Sequence, residues 1–140
     1  MTTPREMAFV ALGSNVGDRA AHLTAGRDGL AALPDTELVA ASAIEETPPI
    51  GPVSQGPYLN QMVLLATGLT PRRLLEGCLA IERADGRVRG ERWGPRTLDL
   101  DIVRFGERQI AEPGLTVPHP ELPHRDFWQR ELAELMPHAQ

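Results

Sequence analysis

The chain has 140 residues, 41% of them hydrophobic, and a formal net charge of −5. That length and apolar content suit a single domain with one core, and the acidic balance argues against a general binder of nucleic acid or of membrane surfaces. All 14 basic residues are arginine, which excludes a G-x-x-x-x-G-K-[ST] phosphate loop, a kinase-type strand lysine and Schiff-base chemistry on lysine.

Aromatic residues, at 4%, are too few for a base-stacking platform. The lone cysteine, Cys78, has no partner for an internal disulfide. With no apolar run suited to secretion or to spanning a bilayer, the cytoplasm is the expected compartment.

In chain order, Met7–Leu12 (MAFVAL) is apolar on both faces and predicts a central strand. The turn GSNVGD follows, with Asp18 placed to cap a helix over Arg19–Leu33 whose stripe is Leu23, Gly26, Leu30 and Leu33. Pro34 ends it. Glu37–Glu46 predicts a weaker strand, and Thr47–Pro57 a loop restricted by proline. Tyr58–Thr67 predicts a strand. Pro71 opens a second helix, Arg72–Ala84, with Leu74, Leu75, Cys78 and Leu79 inward. Asp85–Thr97 predicts a long loop and Leu98–Phe105 a strand. Arg108–Ile110 predicts a short partner strand after a turn at Gly106-Glu107, and a final helix is expected near Phe127–Leu135. This order predicts an α+β, ferredoxin-like βαββαβ antiparallel sheet with helices on one face and a C-terminal helical tail. Strand four then lies beside strand one, and the helix-free face of strands one, three and four is the expected place for a site.

Side chains alternate along a strand. Leu98, Leu100 and Ile102 therefore share one face, and Asp99 and Asp101 the other. Two carboxylates roughly 7 Å apart at Cα suit a hard cation such as magnesium, which takes oxygen ligands from carboxylates and phosphates. The same pattern also describes a half-buried strand with a solvated polar face. Arg87, Arg89, Arg92 and Arg96, interleaved with Gly86, Gly90 and Gly94, run directly into that pair. Metal and arginine around one cleft are the equipment of phosphoryl transfer, and the glycines suit a lid that moves. Trp93 reads equally as packing anchor or ligand contact. Asn60 pairs a donor with an acceptor, which suits the amide edge of a heterocycle; a polar residue at a strand start is the plainer reading. His119 and Arg125 read first as loop residues, and Glu82 as a helix-end cap or a ligand.

ALGSNVGDR (Ala11–Arg19), ETPPIGP (Glu46–Pro52), YLNQMV (Tyr58–Val63), GRVRGERWGPRTLDLDI (Gly86–Ile102) and LTVPHP (Leu115–Pro120) stand in this order. Together they resemble the 6-hydroxymethyl-7,8-dihydropterin pyrophosphokinases of folate synthesis, over nearly the whole chain. The resemblance implies a ferredoxin-like fold and transfer of pyrophosphate from ATP to the pterin hydroxymethyl group. It implies that Asp99 and Asp101 hold two Mg²⁺ ions and that Arg87 and Arg96 assist the transfer. Glu82, Arg89, Arg92, His119 and Arg125 are then nucleotide contacts. Thr47, Ile50, Tyr58, Asn60, Trp93 and Phe127 are pterin contacts, with Tyr58 and Phe127 stacking on the two sides of the ring and Trp93 closing over it. The implied partners are the two small-molecule substrates, with no nucleic acid or membrane, and the implied state is a monomer. After Phe127 the segment WQRELAEL is more polar than the family's pattern at Gln129, Arg130 and Glu131. A two-metal phosphohydrolase and a catalytically silent pterin- or nucleotide-binding relative are the alternatives.

Overall fold

The computed structural model describes residues 4–48, 56–86 and 97–139. Their elements run β1 (Glu6–Ser14), α1 (Arg19–Ala31), β2 (Thr36–Ala41), β3 (Glu45–Thr47), β4 (Tyr58–Thr67), α2 (Pro71–Ala84), β5 (Asp99–Phe105), β6 (Ile110–Glu112), β7 (Leu115–Val117) and α3 (Asp126–Leu135). The main sheet has the order β2-β4-β1-β5, with β3 also paired to β4. All of its pairings are antiparallel, and β5 lies beside β1 as the sequence predicts.

Strand alternation gives the sheet two different faces. Ala8, Val10, Leu12, Val63 and Leu65 point to α1 and α2, where they pack with Leu23, Leu30, Leu74 and Cys78. Phe9, Ala11, Met62, Leu64 and Val103 point the other way and pack with Trp128, Leu132 and Leu135 of α3. The C-terminal tail thus covers part of the face opposite α1 and α2.

Local chemistry sets the helices. The Asp18 carboxylate accepts the Ala21 N–H at 3.1 Å and caps α1. Gly26 lets α1 lie directly on β1, since a Cβ there would stand 2.8 Å from Leu12 Cδ2. Thr70 caps α2 through Oγ1, and Pro71 fills its first turn.

The structure revises several predicted boundaries. The expected strand Glu37–Glu46 is two strands. Between them Ser42 Oγ accepts the Met62 N–H at 2.9 Å, and Ser42 C=O accepts from Gln61 Nε2 at 2.7 Å. A side-chain bond thus replaces a ladder bond where the strand breaks. Leu79, expected inward, is 42% exposed. Leu74, Cys78 and Glu82, four residues apart, form the buried line of α2, and Leu79 lies a helical step off it. The partner strand expected at Arg108–Ile110 begins at Ile110 and pairs with β7 in a separate hairpin. The turn expected at Gly106 is present, with φ +55°, but the chain beyond it leaves the sheet.

Candidate active site

The sheet register lines up the functional residues. Glu45 pairs with Asn60, Asn60 with Gly13, and Gly13 with Asp99, so one row crosses β3, β4, β1 and β5. The next row inward holds Met62, Ala11 and Asp101, and on the outer side Thr47 pairs with Tyr58. Neighbouring strands are about 4.8 Å apart, which puts Asn60 and Asp99 roughly 10 Å from each other at Cα. Gly13 fills none of that gap. A Cβ there would stand 3.3 Å from Asn60 Oδ1 and 3.5 Å from the Tyr58 ring. A trough floored by Gly13 and Ala11 therefore separates an amide corner from an acidic edge.

The amide corner is buried and ordered by polar contacts. Asn60 and Thr47 are both under 10% exposed, and Asn60 Nδ2 donates to Thr47 Oγ1. That bond fixes the amide orientation. Arg19 braces the entry to β4, donating to Pro57 C=O at 3.0 Å and pairing with Glu46 at 2.9 Å. Tyr58 and Phe127 are half-buried.

The acidic edge is more open. Asp99 and Asp101 are partly exposed on the α3 side of β5, while Leu100 and Ile102 enter the other core. The Glu82 carboxylate, almost fully buried, accepts the Leu100 N–H at 2.7 Å, between the two aspartates. Glu82 is thereby tied to the backbone of the aspartate strand. His119 Nε2 faces Asp101 Oδ1 across 3.7 Å. Its Nδ1 accepts the Glu121 N–H at 3.1 Å, which leaves the ring proton on Nε2, directed at the carboxylate. Burial and then the Arg125 charge push the His119 pKa down, against a smaller opposite pull from Glu121. Both causes favour the neutral ring. Trp128 organises this end: His119 packs edge-on against it at 4.9 Å, and the Arg125 guanidinium lies 4.4 Å over its ring.

Beside Asp101 a cavity of about 220 Å³ opens along the outer edge of β5. It is lined by Leu75, Ile102, Leu115 and Thr116, with Asp101 and His119 also on its wall. Its wall mixes the apolar side chains of Leu75, Ile102 and Leu115 with the polar groups of Thr116, Asp101 and His119.

The sequence model of the family described as 7,8-dihydro-6-hydroxymethylpterin-pyrophosphokinase (HPPK) matches residues 9–137. The chain belongs to the HPPK family. It is similar to proteins named 2-amino-4-hydroxy-6-hydroxymethyldihydropteridine pyrophosphokinase from several bacteria. The Methylorubrum extorquens relative is 45% identical over 130 residues, covering 93% of this chain and 82% of the relative. The Pseudomonas aeruginosa relative is 44% identical over 132 residues, covering 94% and 82%. The Bacillus subtilis relative is 43% identical over 132 residues, covering 92% and 77%.

Of the residues this HPPK sequence singles out, the fold brings Thr47, Tyr58, Asn60, Asp99 and Asp101 to one face and sets Phe127, His119 and Arg125 around it. Ile50, Arg87, Arg89, Arg92, Trp93 and Arg96 lie outside the described residues, as does most of the predicted lid. The sequence reading passes over Trp128 and the cavity lining, because a tryptophan or leucine at helical or strand spacing looks the same as core. The donor set fits magnesium. Asp99 and Asp101 offer oxygen from one face, and His119 presents an N–H. Among the described residues no three His, Cys, Asp or Glu groups could hold an ion by themselves. Two carboxylates completed by water and phosphate oxygens are what Mg²⁺ takes. Cys78 is no nucleophile: burial first, then the charges of Glu82 and Asp101, push its thiol up to about 12.

Proposed function

We propose that the trough over Gly13 is where this pyrophosphokinase moves a diphosphoryl group from ATP to 6-hydroxymethyl-7,8-dihydropterin, giving the pterin diphosphate and AMP. The observation that carries the reading is the single row Asn60–Gly13–Asp99. A buried amide and a partly exposed carboxylate face the same space, and the residue between them has no side chain.

In this reading the pterin lies over Gly13 with its amide edge on Asn60, whose other contact is Thr47. Tyr58 and Phe127 flank the ring, and Ile50 and Trp93 complete its surroundings. The cavity beside β5 takes the adenosine end of ATP, with Leu75, Ile102 and Leu115 against the base. The triphosphate then passes His119 and Arg125 toward Asp101. Asp99 and Asp101 hold Mg²⁺, two ions in the full assignment, which supply charge neutralisation for the triphosphate. Glu82 serves the nucleotide side by fixing the β5 backbone that carries both aspartates. Arg87, Arg89, Arg92 and Arg96 add positive charge around the phosphates. The hydroxymethyl oxygen attacks the β-phosphorus in line and forms the new O–P bond. The bridge to the α-phosphate breaks, and AMP leaves. Positioning supplies much of the rate, because alignment turns a two-body encounter into an internal step. No described side chain is assigned as the base. The reading calls on no residue from a second copy, and the enzyme acts as a one-domain monomer in the cytoplasm.

The product decides the matter. Incubated with ATP, Mg²⁺ and the pterin, the protein releases AMP, and only when pterin is present. Chromatographic separation of the nucleotides is the readout. ADP, or nucleotide loss without pterin, overturns the reading in favour of a phosphohydrolase.

A further inference from the structure

Three charged residues of α3 meet the segment that leads into β3. Arg130 donates from Nε and Nη2 to Glu45 Oε1 at 3.1 and 3.0 Å. Glu134 Oε2 accepts the Ala43 N–H at 3.0 Å. Between them Glu131 turns inward and is 1% exposed. Neither carboxyl oxygen of Glu131, nor Oε2 of Glu45, receives a hydrogen bond from any described N–H or O–H. Arg130 and Glu134, on either side of Glu131, both hold the Ala43–Glu45 segment, which brings the two buried carboxyl groups together. Two carboxylates facing each other in a dry place cannot both stay ionised, and one proton between them turns repulsion into a bond.

We propose that Glu131 is a positioning residue for the acceptor substrate: as a neutral acid donating to Glu45, it clasps α3 to β3 and so holds Phe127 beside the Asn60 corner. This rests on the reading of Tyr58, Asn60 and Phe127 as the pterin wall. The connections run both ways from the clasp. Phe127 is one helical turn before Glu131 and shares its face. Glu45 is the cross-strand partner of Asn60 and lies two residues from Thr47, which receives the Asn60 amide. One proton therefore joins the helix carrying one ring contact to the strand pair carrying the amide. The charged groups around it are Glu45 from β3 and, from α3 itself, Arg130 and Glu134. Burial first, and then Glu45, push the Glu131 carboxyl up to about 9, with Arg130 pulling the other way. The proton is held at neutral pH and leaves in alkali.

The test is calorimetric binding of the pterin, with a non-hydrolysable ATP analogue and Mg²⁺, near pH 7 and near pH 9.5. Wild type is compared with E131Q, whose carboxamide donates to Glu45 at every pH, and with E131A, which cannot. Near pH 7, E131Q binds pterin like wild type and E131A binds more weakly. On going to the higher pH, wild type loses about threefold or more in pterin affinity relative to E131Q. Any ionisation of the pterin itself cancels in that ratio. Affinity for the ATP analogue alone is the same in all three. If pterin binds near pH 7 but wild type and E131Q lose affinity in parallel, the clasp is overturned and the pterin wall stands. If E131A binds as well as E131Q, the clasp is likewise overturned. If no pterin binds to any of them, the wall assignment fails and the clasp falls with it.

Discussion

The two faces of the central sheet are made by the same strands and do different work. Toward α1 and α2, the inward positions of β1, β4 and β5 are mostly apolar, with Gln61 and Thr67 the buried polar residues of β4, and the core reaches Leu12 and Leu98. Toward α3, the apolar packing stops at Met62 and Ala11, and the last rows are Asn60, Gly13, Asp99, Thr47 and Tyr58. The first face holds the fold together. The second gives up two rows of packing and gains a trough. Polar groups are thus carried on strands whose rigidity is set from behind.

That contrast can be broken most sharply at the acidic edge. Asp99→Ala or Asp101→Ala, which takes away a proposed metal ligand, is expected to lower turnover by about 10³ or more, while circular dichroism shows the fold intact. Full activity in both variants would remove the metal assignment. Next come adjacent residues of β4 that point to opposite faces, Leu64 and Leu65, both fully buried. Alanine at either costs about 2–5 kcal/mol in urea unfolding. Only Leu64→Ala, beneath α3, also weakens pterin binding at temperatures where the protein is folded; equal pterin loss in both would erase the distinction. Asn60→Ala weakens pterin binding by about 1–3 kcal/mol and leaves ATP binding nearly unchanged, as titration of each ligand would reveal. Equal losses for both ligands would make Asn60 a structural residue.

A separate effect is expected on stability against pH. The Glu131 pKa is raised in the folded protein from 4.5 to about 9. Its contribution is therefore complete below about pH 4.5 and is lost as pH rises through about 9, because the folded chain holds a proton that the unfolded chain has released. Wild-type stability measured by denaturant should decline across that window more steeply than that of Glu131→Gln. Matching slopes would show that the carboxyl is not holding its proton.

Much of this was legible in the sequence where a local signal and a long pattern agree. β1 and β4 are long apolar runs, and Asp18, Thr70 and Pro71 mark helix starts, so those elements lie within a residue or two of their predicted limits. Asp99 and Asp101 stand out because a carboxylate between leucines needs a reason. β3 was not legible: three residues carry no period, and the break before it depends on Ser42 meeting Met62 across the sheet. The β6–β7 hairpin was misplaced because the Gly106 turn is real but does not return the chain to β5. Trp128 and the cavity beside Leu75 were hidden because function and core use the same residues there. The polarity of Glu131 was visible, whereas its burial is decided by how α3 lies on the sheet.

The bond between Glu82 and the Leu100 N–H has a consequence for how copies of this chain meet. β5 is an edge strand, and an edge offers unpaired N–H and C=O groups to any passing chain. Here Glu82 takes the Leu100 N–H, and the His119 N–H takes the Val103 C=O at 2.9 Å. The opposite edge, β2, is interrupted by a register shift between Leu38 and Ala40, a bulge that spoils a straight template. Both margins of the sheet are thus poorly suited to adding a foreign strand, and at β5 the groups that block addition sit next to the aspartates. A substitution at Glu82 would then be felt twice, as a loosened aspartate strand and as a newly adhesive edge, and aggregation in such a variant would be a symptom of the same lost hydrogen bond.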